Sequence, residues 1–139
     1  MEGDKRIGTS GDSMPFGTEV LCTGPLIVGV AAGLDFNFYV PKGMGKIRVK
    51  KVRSFLTEVL AGGTEDSVVT VKNVTTPMTG GTLTITESGS AIGDEDSCDI
   101  VKDENAVVEE ETAIVLSAAA RASGTGGQAI FFIEYERCQ

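Results

Sequence analysis

The sequence predicts an all-β domain, either a sandwich or a barrel, preceded by an N-terminal arm. From Leu26 onward, short apolar or alternating segments are separated by Gly, Pro, Asn and Asp at intervals of about 10 to 15 residues, a pattern typical of such folds. The first 24 residues are instead rich in Gly, Ser and Thr, with few apolar side chains, and bury too little surface to fold alone. We therefore divide the chain into an N-terminal arm, residues 1–24, and a β domain, residues 25–139. The end of the arm, from Phe16 to Leu21, is able to dock on the β domain or on a neighbouring molecule.

Composition excludes several classes of function. The chain has 139 residues, no His and a formal net charge of −8. This length is enough for one domain with its own core. The absence of His removes the commonest general base and every zinc site with an imidazole ligand. The negative net charge argues against binding to nucleic acid or to anionic membranes, because proteins bind both through clustered Lys and Arg. We expect a non-enzymatic protein without a cofactor that binds neither nucleic acid nor membrane.

The cysteines and the N-terminus indicate synthesis in a reducing cytoplasm. Cys22, Cys98 and Cys138 form no C-x-x-C pair, and an odd number of widely spaced cysteines makes a poor disulfide framework. The polar start lacks the apolar segment of a signal peptide. The longest apolar segment, residues 25–34, has about half of the roughly 20 residues that a membrane helix needs. We expect free thiols in a soluble protein.

The first two predicted strands differ in pattern. Leu26–Ala31 is continuously apolar, whereas 35–40 alternates. Because successive side chains of a strand point to opposite faces, the alternation separates an apolar face from a more polar one: Phe36, Phe38 and Val40 against Asp35, Asn37 and Tyr39.

The third predicted strand, 46–60, contains a change of parity. Ile47 and Val49 lie at odd positions, whereas Val52 and Leu56 lie at even positions. A β-bulge adds one residue to a strand. A bulge at Lys50-Lys51 would therefore keep both halves on one apolar face.

The remaining predicted strands are separated by loops at 61–66, 73–81 and 89–96. They are 67–72, 82–86, 97–101, 112–118 and 128–135, which makes about eight strands in all. In the last, Ala129, Phe131, Ile133 and Tyr135 share one face, and Ile130 and Phe132 share the other. A strand that is apolar on both faces is central or lies at an interface.

Residues 105–123 allow two interpretations. Asn105 as N-cap, alanines at 118–120 and Gly124 as C-cap would suit a helix. The alternative is a loop followed by the strand 112–118, with Ile114, Leu116 and Ala118 pointing inward. We favour the strand, because a lone helix would leave the strand beginning at Gln128 without its neighbour.

Candidate sites for metals, cofactors and catalysis carry little specificity. Acidic residues cluster between 94 and 111, and such oxygen clusters can hold Ca²⁺ or act as carboxylate pairs in glycoside hydrolysis. The EF-hand spacing is absent, so we interpret them as solvated loops. The glycine-rich segments 41–46 and 124–127 do not match the phosphate-binding loop. We predict no metal, no cofactor and no catalytic residue.

A basic stripe stands out within the third strand. Five of the twelve basic residues lie between positions 46 and 53, and alternation places Lys46, Arg48 and Lys50 on one face. A solvated edge that Lys protects from aggregation is one interpretation. Contact with an acidic protein surface is the functional alternative.

Five segments together resemble the small jelly-roll proteins of tailed-bacteriophage virions, in particular capsid decoration (cement) proteins and related head-fibre proteins. They are Phe38-Tyr-Val-Pro-Lys-Gly-Met-Gly-Lys-Ile-Arg-Val-Lys-Lys-Val, 69–72, 81–85, 89–94 and 127–136. The likeness is one of strand order and loop style over residues 26–136. It implies a jelly-roll-like antiparallel sandwich and carries over no catalytic residue.

The resemblance also implies a function. Decoration proteins are typically homotrimers on the capsid exterior that clamp neighbouring major capsid protein subunits. As capsid contacts we name Phe16, Val20, Leu21, Lys46, Arg48 and Lys50, and as oligomer interface Tyr39, Ile130 and Phe132. The alternative is a receptor- or glycan-binding sandwich module of a phage fibre or tail, for which exposed aromatic side chains would be needed.

Overall fold

Residues 17–138 are described by the computed structural model, and they form an all-β structure. This part of the chain contains ten strands and one 3-10 turn, Glu104–Ala106, and no helix long and apolar enough to cross a membrane. The strands are β1 Glu19–Cys22, β2 Leu26–Val30, β3 Leu34–Tyr39, β4 Ile47–Ala61, β5 Ser67–Asn73, β6 Thr76–Ile85, β7 Glu95–Asp99, β8 Val107–Val108, β9 Ala113–Ala118 and β10 Thr125–Arg137.

The strands form two antiparallel sheets in a sandwich. The first sheet has the order β1-β10-β4-β7, with β2 also paired to β10 and β8 to β4; the second has the order β3-β9-β5-β6. Without β1 and β8, the remaining strands form two four-stranded sheets in the orders β2-β10-β4-β7 and β3-β9-β5-β6. This is the arrangement of a jelly roll, which contains two Greek keys. The predicted jelly-roll-like antiparallel sandwich is confirmed, with β1 and β8 added to the eight predicted strands.

The two longest strands, β4 and β10, carry the core of the first sheet. Their pairing shifts between Glu134 and Tyr135, which lie opposite Lys51 and Val49, so Lys50 is the extra residue of a bulge. The bulge predicted at this place is confirmed. It turns both Val49 and Val52 into the core, where each has no exposed surface.

The region 105–123 contains a central strand. β9 lies between β3 and β5, and its first four residues, Ala113–Leu116, are all buried. The predicted strand is confirmed, and the helical alternative is wrong. Burial between two sheet neighbours outweighs the helix propensity of the alanines, because propensity differences are only tenths of a kcal/mol per residue.

The predicted loop at 73–81 is wrong. The structure has a two-residue turn, Val74-Thr75, and β6 already begins at Thr76. Pro77 fits within β6 because β6 is an edge strand, where a missing N–H costs no ladder hydrogen bond. Gly80 has a φ of 80°, and a Cβ there would collide with the carbonyl oxygen of Asp99.

The segment before the body joins the first sheet where the structure describes it. β1 pairs with β10 from Glu19 opposite Tyr135 to Cys22 opposite Phe132. Thr23 continues the contact: its N–H donates to the Phe131 carbonyl at 2.9 Å, and its hydroxyl accepts from the Phe131 N–H at 3.0 Å. The end of the predicted arm thus docks on its own body; the predicted division at residue 24 stays a prediction.

Candidate functional site

The outward face of the first sheet carries an apolar cluster, which we call the outer patch: Val20, Ile27, Phe55, Ile130 and Phe132. Its members come together through pairing. Ile130 lies opposite Phe55, and Ile27 lies opposite the residue two positions before Ile130. Val20 lies two positions before the residue opposite Phe132, on the same face of the sheet. The rings of Phe55 and Phe132 meet edge to face, with centroids 5.4 Å apart. Val20 and Ile27 are 51% and 45% exposed, so the edge of the patch is open to solvent.

The inward neighbours of these residues explain why the patch points outward. Ala129, Phe131 and Ile133 of β10 are buried, which leaves Ile130 and Phe132 on the other side of the pleat. Val28 is likewise buried in β2, so Ile27 faces outward. Interior packing therefore fixes the orientation of the whole patch.

Beside the outer patch lies a charged band on β4 and its neighbours. Each basic residue of β4 has a carboxylate on an adjacent strand; the pairs are Arg48–Glu136, Lys50–Glu136, Lys51–Asp99, Arg53–Glu134 and Arg53–Glu95. The hydrogen bond from Arg48 is the main reason that the pKa of Glu136 lies below its ordinary value, and burial works against it. The guanidinium carbon of Arg53 lies 5.9 Å from the centre of the Phe55 ring, which joins the band to the patch.

The positive charges of Arg48 and Lys50 in the predicted basic stripe are therefore compensated by a carboxylate. Arg48 and Lys50 share Glu136, and the Lys50 amine also donates to the Thr18 hydroxyl at 2.7 Å. Lys46 lies just before β4 and is exposed. The stripe as a contact for an acidic surface stays a prediction, and two of its three charges already face a carboxylate.

The predicted contact residues fall on different surfaces. Val20, Ile130 and Phe132 come together in the outer patch, although the first was predicted as a capsid contact and the others as an oligomer interface. Leu21 and Tyr39 lie elsewhere, in a small apolar groove of about 140 Å³ between the edges of β1 and β3. Phe16 lies outside the described residues.

The groove between β1 and β3 ends at a polar cluster. The Tyr135 hydroxyl donates to the Glu19 carboxylate at 3.2 Å, and Arg137 pairs with the same carboxylate at 2.9 Å. Burial and the Glu19 charge raise the pKa of Tyr135, so its hydroxyl stays protonated and keeps donating. This contact ties the start of β1 to the end of β10.

Several of the clustered carboxylates shape the backbone of loops. Asp94 accepts from the Ala91 N–H at 2.8 Å, Asp103 accepts from the Asn105 N–H at 3.0 Å, and Glu110 accepts from the N–H groups of Gly43 and Gly45. Burial, then the neighbouring Asp94, Asp66 and Glu95, raise the pKa of Asp96. Within residues 17–138, no three His, Cys, Asp or Glu side chains converge as a metal site would require.

The sequence interpretation missed Phe55 and Ile27 as members of the outer patch. Phe55 has the parity opposite to Val52 and Leu56, which was a usable sign that it faces outward. Ile27 carries no such sign, because the apolar segment around it is continuous.

Comparisons with known proteins support the fold. No protein-family model matches the sequence, and a search of curated proteins found no match. Among solved structures, the chain is similar to one described as "Cyanophage Pam1 capsid asymmetric unit". The two share the fold. The TM-score is 0.52 and the identity 15%, over 96% of this chain and 94% of the other. The likeness thus spans the whole jelly roll, and at this identity no residue role is transferred.

Proposed function

We propose that this protein is a non-enzymatic structural protein of a bacteriophage virion. It decorates the capsid exterior and stabilises it by binding across neighbouring major capsid protein subunits. The jelly roll that it shares, over nearly its full length, with a structure titled as a cyanophage capsid asymmetric unit supports this proposal. So do the sequence resemblance to decoration proteins and the acidic, histidine-free composition.

The outer patch is the observation that carries the proposal. Its aromatic centre is flanked by paired charges. Protein–protein interfaces typically have such an apolar core surrounded by a polar rim. Val20 and Ile27 are about half exposed on a sandwich whose core is already complete, so burying them gains free energy only when another protein covers them. Many symmetric copies on one shell would make even a modest contact strong.

The homotrimer is also part of this proposal, and its interface is chosen as follows. Ile130 and Phe132 lie on the outward face of the first sheet, whereas Tyr39 lies on the second sheet. A single flat interface would not bury all three. We assign the outer patch to the capsid, and we assign the edge of β1 that bears the exposed Leu21, without Tyr39, to contacts between copies.

The test compares two single substitutions of similarly exposed valines. Val20→Lys puts a charge into the outer patch, and Val101→Lys makes the same change at a residue outside the patch that is 48% exposed. The probe is shells assembled from the major capsid protein of the same phage, pelleted with each variant. We expect Val20→Lys to reduce co-sedimentation by about tenfold or more, equivalent to about 1.4 kcal/mol, with Val101→Lys unchanged.

Native mass, measured by light scattering on both variants, separates the possible roles of the patch. Lost co-sedimentation with an unchanged mass supports the capsid assignment. A fall in mass for Val20→Lys assigns the patch to contacts between copies instead. Wild-type protein that fails to pellet with the shells contradicts the proposed function.

A further inference from the structure

The outward face of the second sheet carries a groove unrelated to the outer patch. Alternation along β3 places Asp35, Asn37 and Tyr39 in a row on this face, about 7 Å apart. On β9, Ala113 lies opposite Tyr39 and Val115 opposite Asn37, and these small side chains form the floor. The groove has a volume of about 430 Å³, within the usual range for sites that bind small molecules.

The side chains of the groove combine one aromatic face with several hydrogen-bonding groups. Tyr39 is 66% exposed, because alanine is the residue opposite it and leaves the ring uncovered. The Ser117 hydroxyl donates to the Asp35 carboxylate at 2.6 Å and so fixes its orientation. Asn37 and Thr75 add an amide and a hydroxyl, which both donate and accept.

Two strained residues close one end of the groove. Val74 and Glu111 have φ angles of 57° and 65°, and they are the only residues other than glycine with positive φ within 17–138. The Val74 N–H donates to the Ala113 carbonyl at 2.9 Å, and the Glu111 N–H donates to the Val40 carbonyl at 2.8 Å. A β-branched residue with positive φ is a genuine outlier, and Gly or Asn would relieve it. Such outliers concentrate at binding sites.

We infer that this groove binds a neutral oligosaccharide. The polarised C–H face of a sugar ring packs on the negative face of an aromatic ring, a role that Tyr39 can fill. The carboxylates of Asp35 and Glu111 accept hydrogen bonds from sugar hydroxyls. The same carboxylates, in a chain of net charge −8, repel sugars that carry an acid group. Lys72 lies opposite Val115 on the neighbouring strand, outside the lining of the groove.

The inference stands apart from the proposed capsid contact. The groove is on the second sheet and the outer patch is on the first, so the two surfaces lie on opposite sides of the sandwich. A protein attached through the outer patch would present the groove away from the shell. Loss of one activity therefore leaves the other measurable.

The experiment is saturation-transfer NMR on the full chain with a panel of neutral tetrasaccharides of glucose, galactose, mannose and N-acetylglucosamine. Tyr39→Ala removes the stacking ring, and Tyr39→Phe keeps it. We expect at least one neutral oligosaccharide to bind, Tyr39→Ala to weaken it by about tenfold, and Tyr39→Phe to stay within about threefold of wild type. Val101→Ala, an exposed residue outside the groove, is the matched control and should bind as wild type does.

Each of the following outcomes would overturn the inference. The first is no binding of any neutral sugar at about 10 mM. The second is binding that Tyr39→Ala leaves unchanged, or equally strong binding of sialyllactose and oligogalacturonate. The third is a fall in native mass for Tyr39→Ala, which would place the ring in an interface between copies. Unchanged capsid co-sedimentation of Tyr39→Ala shows that a lost sugar signal is independent of the proposed function.

Discussion

Arg121 joins four segments at one end of the sandwich. Its guanidinium is almost fully buried and donates to the carbonyls of Gly29 at 2.5 Å, Glu65 at 2.6 Å and Ala61 at 3.0 Å. It also pairs with the Glu87 carboxylate at 2.9 Å. A buried charge is tolerated when its donors are satisfied in this way. Gly124 makes room for it, since a Cβ there would collide with the guanidinium.

Replacing this arginine should destabilise the fold strongly. Arg121→Met removes the cation and leaves three carbonyls and the Glu87 carboxylate without their donor, so we expect the free energy of unfolding to fall by about 3 to 5 kcal/mol. Urea denaturation followed by circular dichroism measures this. The matched control is Arg137→Met, which breaks an ion pair with Glu19 that is about 40% exposed and should cost less than about 1 kcal/mol. Equal losses would show that Arg121 is not a buried anchor.

For the strands, local sequence patterns predicted those structural features that are set by residues close together in the sequence. The parity change between Val49 and Val52 located the bulge, and the alternation around Phe38 gave the faces of β3. The length of β6 was missed, because Pro77 is acceptable only on an edge, and edge position is set by the order of all strands. Likewise, Arg48 and Glu136 are 88 residues apart in sequence, so no local pattern reveals their pairing.

That cross-strand pair should make β4 and β10 sensitive to acid. The pKa of Glu136 is lowered in the folded state, so the pair stabilises the fold above the ordinary glutamate pKa of about 4.5. The stabilisation is lost as pH falls through the lower, folded-state pKa. We expect Glu136→Gln to be less stable than wild type at pH 7, by less than about 1 kcal/mol, because the pair is partly exposed.

The measurement is the difference in unfolding free energy between wild type and Glu136→Gln from pH 7 to pH 3. The difference should shrink below about pH 4.5 and vanish near the acid end. Using the difference removes the opposite contribution of Asp96, whose raised pKa adds stability on acidification. A difference that stays constant over this range would show that the Arg48 contact contributes no linkage.

The two outward faces of the sandwich carry different surfaces. The first sheet presents the outer patch and charged band, and the second presents the groove at Tyr39. The edge of β10 that faces away from β4 is paired at both ends. β1 pairs with residues 132–135, and β2 pairs with residues 125–129. Because uncovered edges pair with other chains, β1 protects the strand that is apolar on both faces.

Truncation from the N-terminus should therefore have two distinct effects. A chain that begins at Gly17 keeps β1 and should melt within about 2 °C of the full chain. A chain that begins at Gly24 loses the pairing along residues 132–135 and the contact of Thr23 with Phe131. We expect it to lose about 1 to 3 kcal/mol, to melt several degrees lower, and to self-associate through the freed edge. Thermal circular dichroism and light scattering report both effects.

The chain that begins at Gly17 also decides whether the arm or the body makes the capsid contact. If the outer patch carries attachment, the chain from Gly17 pellets with shells as the full chain does, because Val20 and its neighbours are intact. If Phe16 and the residues before it carry attachment, that chain keeps its fold and mass but stays in the supernatant. Only the chain from Gly17 can answer this, since loss of attachment from Gly24 onward would follow equally from a missing contact and from a disrupted β10 edge.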